Sequence, residues 1–163
     1  MFSQTTEYAI RAAIDIATRP MGENVLAAQL GKALDIPTHY LSKILQQLVR
    51  ARVLTSVRGR QGGFALAKPP EKVRLREIVA PFEDLRKYEE CILGQAVCSE
   101  AGACPLHQFW GGVRERFLNE LDTKTLKDLS DFQLKRLTAM NAGLRSKLQT
   151  VPGMEAFKEA RKN

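Results

Sequence analysis

Three thiols and an imidazole stand within one short stretch: Cys91, Cys98, Cys104 and His107. They are all the cysteines of the chain and one of its two histidines, and the residues between them are mostly small. Soft thiolates with an imidazole at such spacing suit zinc or an iron–sulfur cluster, because both take sulfur and nitrogen donors from a loop that can wrap the metal. The competing reading is three unrelated cysteines buried as small hydrophobes. Clustering this tight argues for a shared task. An odd set of thiols also fits a reducing compartment better than a disulfide framework.

No catalytic constellation accompanies them. His39 has no acid and nucleophile at a suggestive spacing, and no phosphate-binding glycine loop is present, so an enzyme is not expected. The 163 residues carry a net charge of +7, with 44% hydrophobic and 26% charged residues, and the pI is near 9.5. That balance fits a domain with an ordinary core and a polyanionic partner. The charge is uneven. From Asp35 to Lys68 the cations Lys43, Arg50, Arg52, Arg58, Arg60 and Lys68 face a single acid, Asp35, whereas Glu83, Asp84, Glu89 and Glu90 precede the cysteines. A basic first half and a mixed second half imply two jobs. No apolar run approaches the roughly 20 residues of a membrane span, and the first residues lack the pattern of a signal peptide. The expected location is cytoplasmic, with no membrane partner.

The elements that would position these groups follow from periodicity. Ala9, Ile10, Ala13, Ile14 and Ala17 recur at helical spacing over residues 5–19, with Thr5 or Thr6 as the cap and Pro20 and Gly22 as the stop. A second short helix is expected at about 26–34. After a turn at 35–38 comes a third, from His39, whose apolar face is Leu41, Ile44, Leu45, Leu48 and Val49. Two short helices about a tight turn, the second with a polar and basic outer face, form the helix-turn-helix pattern. Strands at 53–57 and 63–68 flank a glycine-rich connection holding Arg58 and Arg60, which reads as a wing. Thr38, His39, Tyr40, Ser42 and Lys43 are the expected major-groove and phosphate contacts, with core packing at the turn an equal reading for Tyr40, and Arg58 and Arg60 reach the minor groove or backbone. From about Cys104 to Leu121 a long helix is expected, with Phe109, Trp110, Val113, Phe117 and Leu121 down one side. That stripe is the expected homodimer interface. A further short helix near 125–129 and a weakly helical tail complete the chain.

The fold class expected is therefore mainly α: a winged helix-turn-helix domain with a two-stranded wing at 1–75, a cysteine-bearing sensor loop with a long dimerisation helix at 76–129, and a helical extension at 130–163. This ordered set resembles the IscR/NsrR/RirA-type bacterial winged helix-turn-helix transcription regulators. The resemblance runs from Glu7–Ala12 through Tyr40–Lys43 and Val57–Phe64 to Cys104–Trp110, covering roughly residues 1–130. It implies a homodimer that binds palindromic double-stranded promoter DNA, a repressor, sensing iron–sulfur, nitric oxide, iron or redox status through an iron–sulfur cluster. It also implies Cys91, Cys98 and Cys104 as ligands. One branch of the family completes a 2Fe–2S site with a histidine at the position of His107. Another completes a 4Fe–4S site with an acid from the first helix of the partner, where Glu7 stands in this chain. The 2Fe–2S form with His107 is placed first. Ser42 departs from the glutamate that helps IscR-like proteins distinguish two classes of DNA site. The alternatives are a cluster-free thiol-based regulator, a zinc-containing one, and an iron–sulfur carrier.

Overall fold

The structure, a computed structural model, describes residues 2–59, 62–88, 90–94 and 102–149, with 141–149 as helical backbone alone. Helix α1 (Gln4–Ala17) is capped by Ser3, whose Oγ accepts the Thr6 N–H at 3.3 Å. The cap is thus earlier than Thr5 or Thr6. Thr6 is fully buried and donates its hydroxyl to Glu83 Oε1 at 2.7 Å instead. Ala9, Ala12 and Ala13 are all at 0% exposure. Their small side chains let α1 serve as the central post, against which α2 (Ala27–Leu34), α3 (Thr38–Arg50), α4 (Leu75–Val79) and α6 (Leu126–Gln149) all pack.

The helix-turn-helix is α2 and α3. Helix α2 ends where Asp35 adopts a left-handed conformation (φ 56°), with the Ile36 N–H returned to the Gly31 carbonyl at 2.9 Å. Pro37 then opens α3, and its carbonyl accepts from Tyr40 and Leu41. Leu41, Ile44, Leu45 and Leu48 point into the core, as the periodicity predicts. Full burial of leucines such as Leu30, Leu41, Leu45 and Leu48 contributes about 1.5–3 kcal/mol each. Helix α3 closes in a Schellman turn: Val53 N–H bonds Leu48 O and Arg52 N–H bonds Val49 O, both at 3.0 Å. Arg52 sits at the left-handed position (φ 58°), where glycine is the usual choice.

The wing is a two-stranded antiparallel sheet of β1 (Leu54–Val57) and β2 (Gly63–Leu66), with Leu54 opposite Leu66 and Val57 opposite Gly63. The strands are shorter than the sequence suggests because Val53 and Ala67 lie just beyond the paired ladder. A single bridge between Val25 and Phe64, two N–H···O bonds of 2.9 Å, ties the wing to the segment before α2.

Beyond a 3₁₀ turn at Pro70–Lys72, α4 leads through a second such turn at Leu85–Tyr88 toward Cys91. Helix α5 spans His107–Thr123, beginning three residues later than expected because Pro105 and Leu106 form a turn. The largest departure is α6. It is not a short helix followed by a weak tail but one helix of 24 residues that runs across residue 130. Thr125 and Asp128 form a capping box at its start, each side chain accepting the other's backbone N–H at 3.2 and 2.8 Å, and its early turns bury Leu126 at 0% and Ser130 at 3% against α1. Val73, Ile78 and Leu126 belong to the same core as the helix-turn-helix. Among the described residues no helix is long and apolar enough to cross a membrane.

Candidate nucleic-acid interface and cysteine centre

The outward face of α3 presents Thr38, His39 and Lys43, continued by Gln46, Gln47 and Arg50, all exposed. Ser42 lies half-buried on the same face with its Oγ donating to the Thr38 carbonyl at 2.8 Å. That back-bond occupies the hydroxyl proton and leaves the oxygen only as an acceptor toward anything outside. Tyr40, half-buried, packs at the turn. Its ring stands edge-on to Tyr8 with centroids 6.1 Å apart, and its hydroxyl bonds Thr5 Oγ1.

Gly31, which sequence reasoning passed over, sets the spacing of the two helices. A β-carbon there would lie 2.7 Å from the Ile36 carbonyl and 3.2 Å from Thr38 Oγ1. A glycine inside an otherwise helical pattern is the signal that marks such a close approach. The wing has its own version. Gly63 (φ 141°) brings β2 so close to Val25 that a β-carbon would stand 2.6 Å from the Val25 carbonyl. The wing is thereby seated firmly at its base, while Arg58 and Val57 are exposed toward its tip. Arg60 lies outside the described residues.

The cysteine region is organised by α5. Cys91 is buried at 8% exposure and Cys104 is half-buried; Cys98 lies outside the described residues. His107 is the first residue of α5, and its backbone N–H bonds the Cys104 carbonyl at 2.9 Å. One turn on, the Trp110 indole N–H donates to the Glu90 carbonyl at 2.9 Å. The residue before Cys91 is thus held beside the helical turn that His107 begins. Among the described residues no three His, Cys, Asp or Glu side chains are gathered to hold a metal ion. The donor chemistry itself, two thiols and an imidazole around a segment bearing a third thiol, fits a soft metal or an iron–sulfur cluster. Glu7 is exposed on the first turns of α1.

Below the cysteines, Tyr88 stacks tilted on Phe117 with centroids 4.7 Å apart, and Phe117 meets Phe2 at 5.8 Å. With Trp110, Val113 and Arg114 they line an apolar cavity of about 300 Å³. Burial, followed by the nearby Glu83 charge, pushes the Tyr88 phenol above its ordinary range. Glu83 moves the other way, held below the usual carboxylate range first by the Thr6 hydroxyl and then by the Ser3 N–H.

The apolar stripe of α5 divides. Phe109 at 65% and Val113 at 41% remain exposed, while Trp110 and Phe117 turn toward their own chain. Leu121 is corrected from the expected interface: at 1% exposure it is a core side chain. The end of α5 is pulled onto α4 there, by Arg76 pairing with Asp122 and by Arg74 Nη1 donating to the Thr123 carbonyl at 2.8 Å.

Comparison with known proteins agrees with this architecture. The model of the Rrf2 family, described as an iron-dependent transcriptional regulator, matches residues 2–131. A protein of Aquifex aeolicus (strain VF5), named as a candidate HTH-type transcriptional regulator, is 33% identical over 139 residues, covering 84% of this chain and 96% of its own. Among solved structures, CymR (YrzC), the global cysteine regulator of B. subtilis, superposes with a TM-score of 0.67 at 23% identity, covering 81% of this chain and 97% of that one. T. potens IscR does so with a TM-score of 0.63 at 23% identity, covering 82% and 88%. The two solved structures share its mainly helical fold and two-stranded wing.

Proposed function

We propose, on the premise that this chain belongs to the Rrf2 family of DNA-binding transcription regulators, that it is a repressor whose DNA affinity is set by the state of its cysteine loop. The family's members are regulators rather than enzymes. The proposed working unit is a cytoplasmic homodimer on a palindromic promoter site, with Phe109, Trp110, Val113 and Phe117 of α5 at or near the subunit contact. Thr38, His39, Ser42 and Lys43 enter the major groove, where the first residues of a recognition helix meet base edges, and Arg58 and Arg60 reach the backbone or minor groove.

In this reading Cys91, Cys98 and Cys104 hold an iron–sulfur cluster, with His107 as the fourth ligand of a 2Fe–2S form or Glu7 of the partner subunit as that of a 4Fe–4S form. The cluster would supply one-electron chemistry and ligand exchange with small oxidants or nitric oxide. The chain's part is mechanical. The Trp110–Glu90 bond and the turn from Cys104 to His107 couple the loop to the base of α5. A change in the loop would shift that helix and the two winged domains it spaces, which is a two-state bias on DNA affinity.

The observation that carries the proposal is the joining of both ends of the cysteine stretch to the first turn of α5, next to an exposed apolar face. The test is anaerobic purification with Mössbauer spectroscopy and native mass spectrometry, wild type beside His107→Ala and Glu7→Ala, followed by DNA binding of cluster-loaded and cluster-free protein at fixed salt. A defined cluster and unequal DNA affinities of the two forms support the proposal. Stoichiometric zinc, a Cys–Cys disulfide as the responsive state, or equal affinities would overturn it.

A further inference from the structure

The cysteine-bearing segment and the recognition helix α3 do not adjoin along the chain, yet a series of contacts connects them through the first turn of α1. On one side, Glu83 Oε1 accepts the Ser3 N–H and the Thr6 hydroxyl, each at 2.7 Å. Glu83 lies just before the Leu85–Tyr88 turn that leads to Cys91, and through Phe117 of α5 the Tyr88 ring also connects to Phe2, the residue before the Ser3 cap of α1. On the other side, Thr5 Oγ1 bonds the Tyr40 hydroxyl of α3, whose ring rests on Tyr8. We infer that Glu83 is the positioning residue that transmits the state of the cysteine segment to α3 by locking the first turn of α1.

Proton accounting explains why the lock is stiff. Thr6 has one hydroxyl proton, which goes to Glu83. Ser3 Oγ then donates to Thr6 Oγ1 at 2.9 Å while accepting the Thr6 N–H. Thr6 is at 0% exposure with Glu83 in place, so parting the two breaks both hydrogen bonds and uncovers a hydroxyl that the fold keeps buried. The α1 turn either follows Glu83 or gives up those bonds, and the coupling is the cost of giving them up. Following it carries Thr5, and with Thr5 the hydroxyl partner of Tyr40. Displacement at the cysteines is thereby converted into displacement of the helix that reads DNA.

The inference rests on the DNA-binding reading above, and by reciprocity it is testable without any metal: DNA on α3 must alter the cysteine segment as much as the segment alters DNA affinity. The full-length reduced chain is labelled anaerobically with iodoacetamide, and modification of Cys91 is followed by peptide mass mapping. The labelling is done with and without the duplex that the wild-type protein enriches from a random-sequence pool. At reagent concentrations low enough that labelling is slow relative to opening, so that the rate reports an equilibrium, DNA should change the Cys91 rate about fivefold or more in the wild type, the lower end of ordinary coupling energies, and by less than about twofold in Glu83→Ala and in Thr5→Val. Glu83→Gln, which keeps an acceptor oxygen, should recover part of the coupling. If Glu83→Ala does not fold, Thr5→Val at the far end of the series decides. A coupling ratio unchanged in these variants, or a wild-type rate indifferent to DNA, overturns the inference. So does weakened DNA binding with the ratio intact, which would make Glu83 a simple brace. Failure of the wild type to enrich any duplex would instead overturn the DNA-binding reading itself.

Discussion

Replacing Gly31 by alanine sets two effects of opposite sign against each other. Alanine in place of glycine in a helix interior is favourable by about 1 kcal/mol. The new β-carbon, however, would lie 2.7 Å from the Ile36 carbonyl oxygen and 3.2 Å from Thr38 Oγ1. The nearer obstacle is backbone, so the α2–α3 turn has to retreat by about 0.7 Å to reach ordinary contact, and overpacking of this kind costs about 1–3 kcal/mol. The net is a destabilisation of about 1 kcal/mol, or about 2–4 °C in melting temperature for a protein of this size. DNA binding should suffer more. The turn carries Thr38 and His39, and a hydrogen bond of about 2.9 Å lengthened by such a shift no longer qualifies as one. Losing one good base contact costs about 1–3 kcal/mol, so affinity should fall about fivefold or more. Thermal unfolding and fluorescence anisotropy on the enriched duplex, at one salt concentration, measure the two quantities. A Gly31→Ala protein that melts higher and binds DNA as tightly as the wild type would show that the turn yields freely, and the reasoning would be wrong.

Other expectations follow from the same geometry. Arg52→Gly should raise stability by about 1 kcal/mol in chemical denaturation, because Arg52 occupies the left-handed closing position of α3 at φ 58°; a loss would mean that its side chain holds something in place. Leu121→Ala should cost about 2–5 kcal/mol of folding stability, whereas Phe109→Ala should barely alter unfolding of the subunit and should weaken self-association in sedimentation. Glu83, with its carboxyl held low by Thr6 and Ser3, contributes stability above the unfolded carboxylate pKa and loses it as pH falls through its lower folded value. Wild type should therefore lose its melting-temperature advantage over Glu83→Gln as pH is taken below about 4, and an advantage that grows with acid would contradict the assignment.

The chain by itself determined the parts whose information is local. Apolar residues at helical spacing on α3 must share a face, so Leu41, Ile44, Leu45 and Leu48 were legible as core, and Thr38, His39 and Lys43 as the opposite side. Glycines and arginines between two β-rich runs marked the wing, and three cysteines beside a histidine marked a loop with soft-metal donors. Its size and the chemistry of its donors needed no coordinates.

Tertiary structure decided what depends on which neighbour arrives. Tyr40 has the sequence context of a DNA contact, but a ring and a hydroxyl from α1 claim it. Leu121 continues the apolar stripe of α5, yet α4 folds over it and makes it core. Helix α6 has a local start signal in the Thr125–Asp128 capping box, but nothing local marks its run across residue 130, and its early turns rest on α1. Glu83 reads as one acid among several before the cysteines, and only the fold brings it to Ser3 and Thr6, about 80 residues away. The physical reason is common to all four. Periodicity reports how a segment divides into faces, while the partner of each face is set by long-range packing and hydrogen-bond satisfaction that no local pattern encodes.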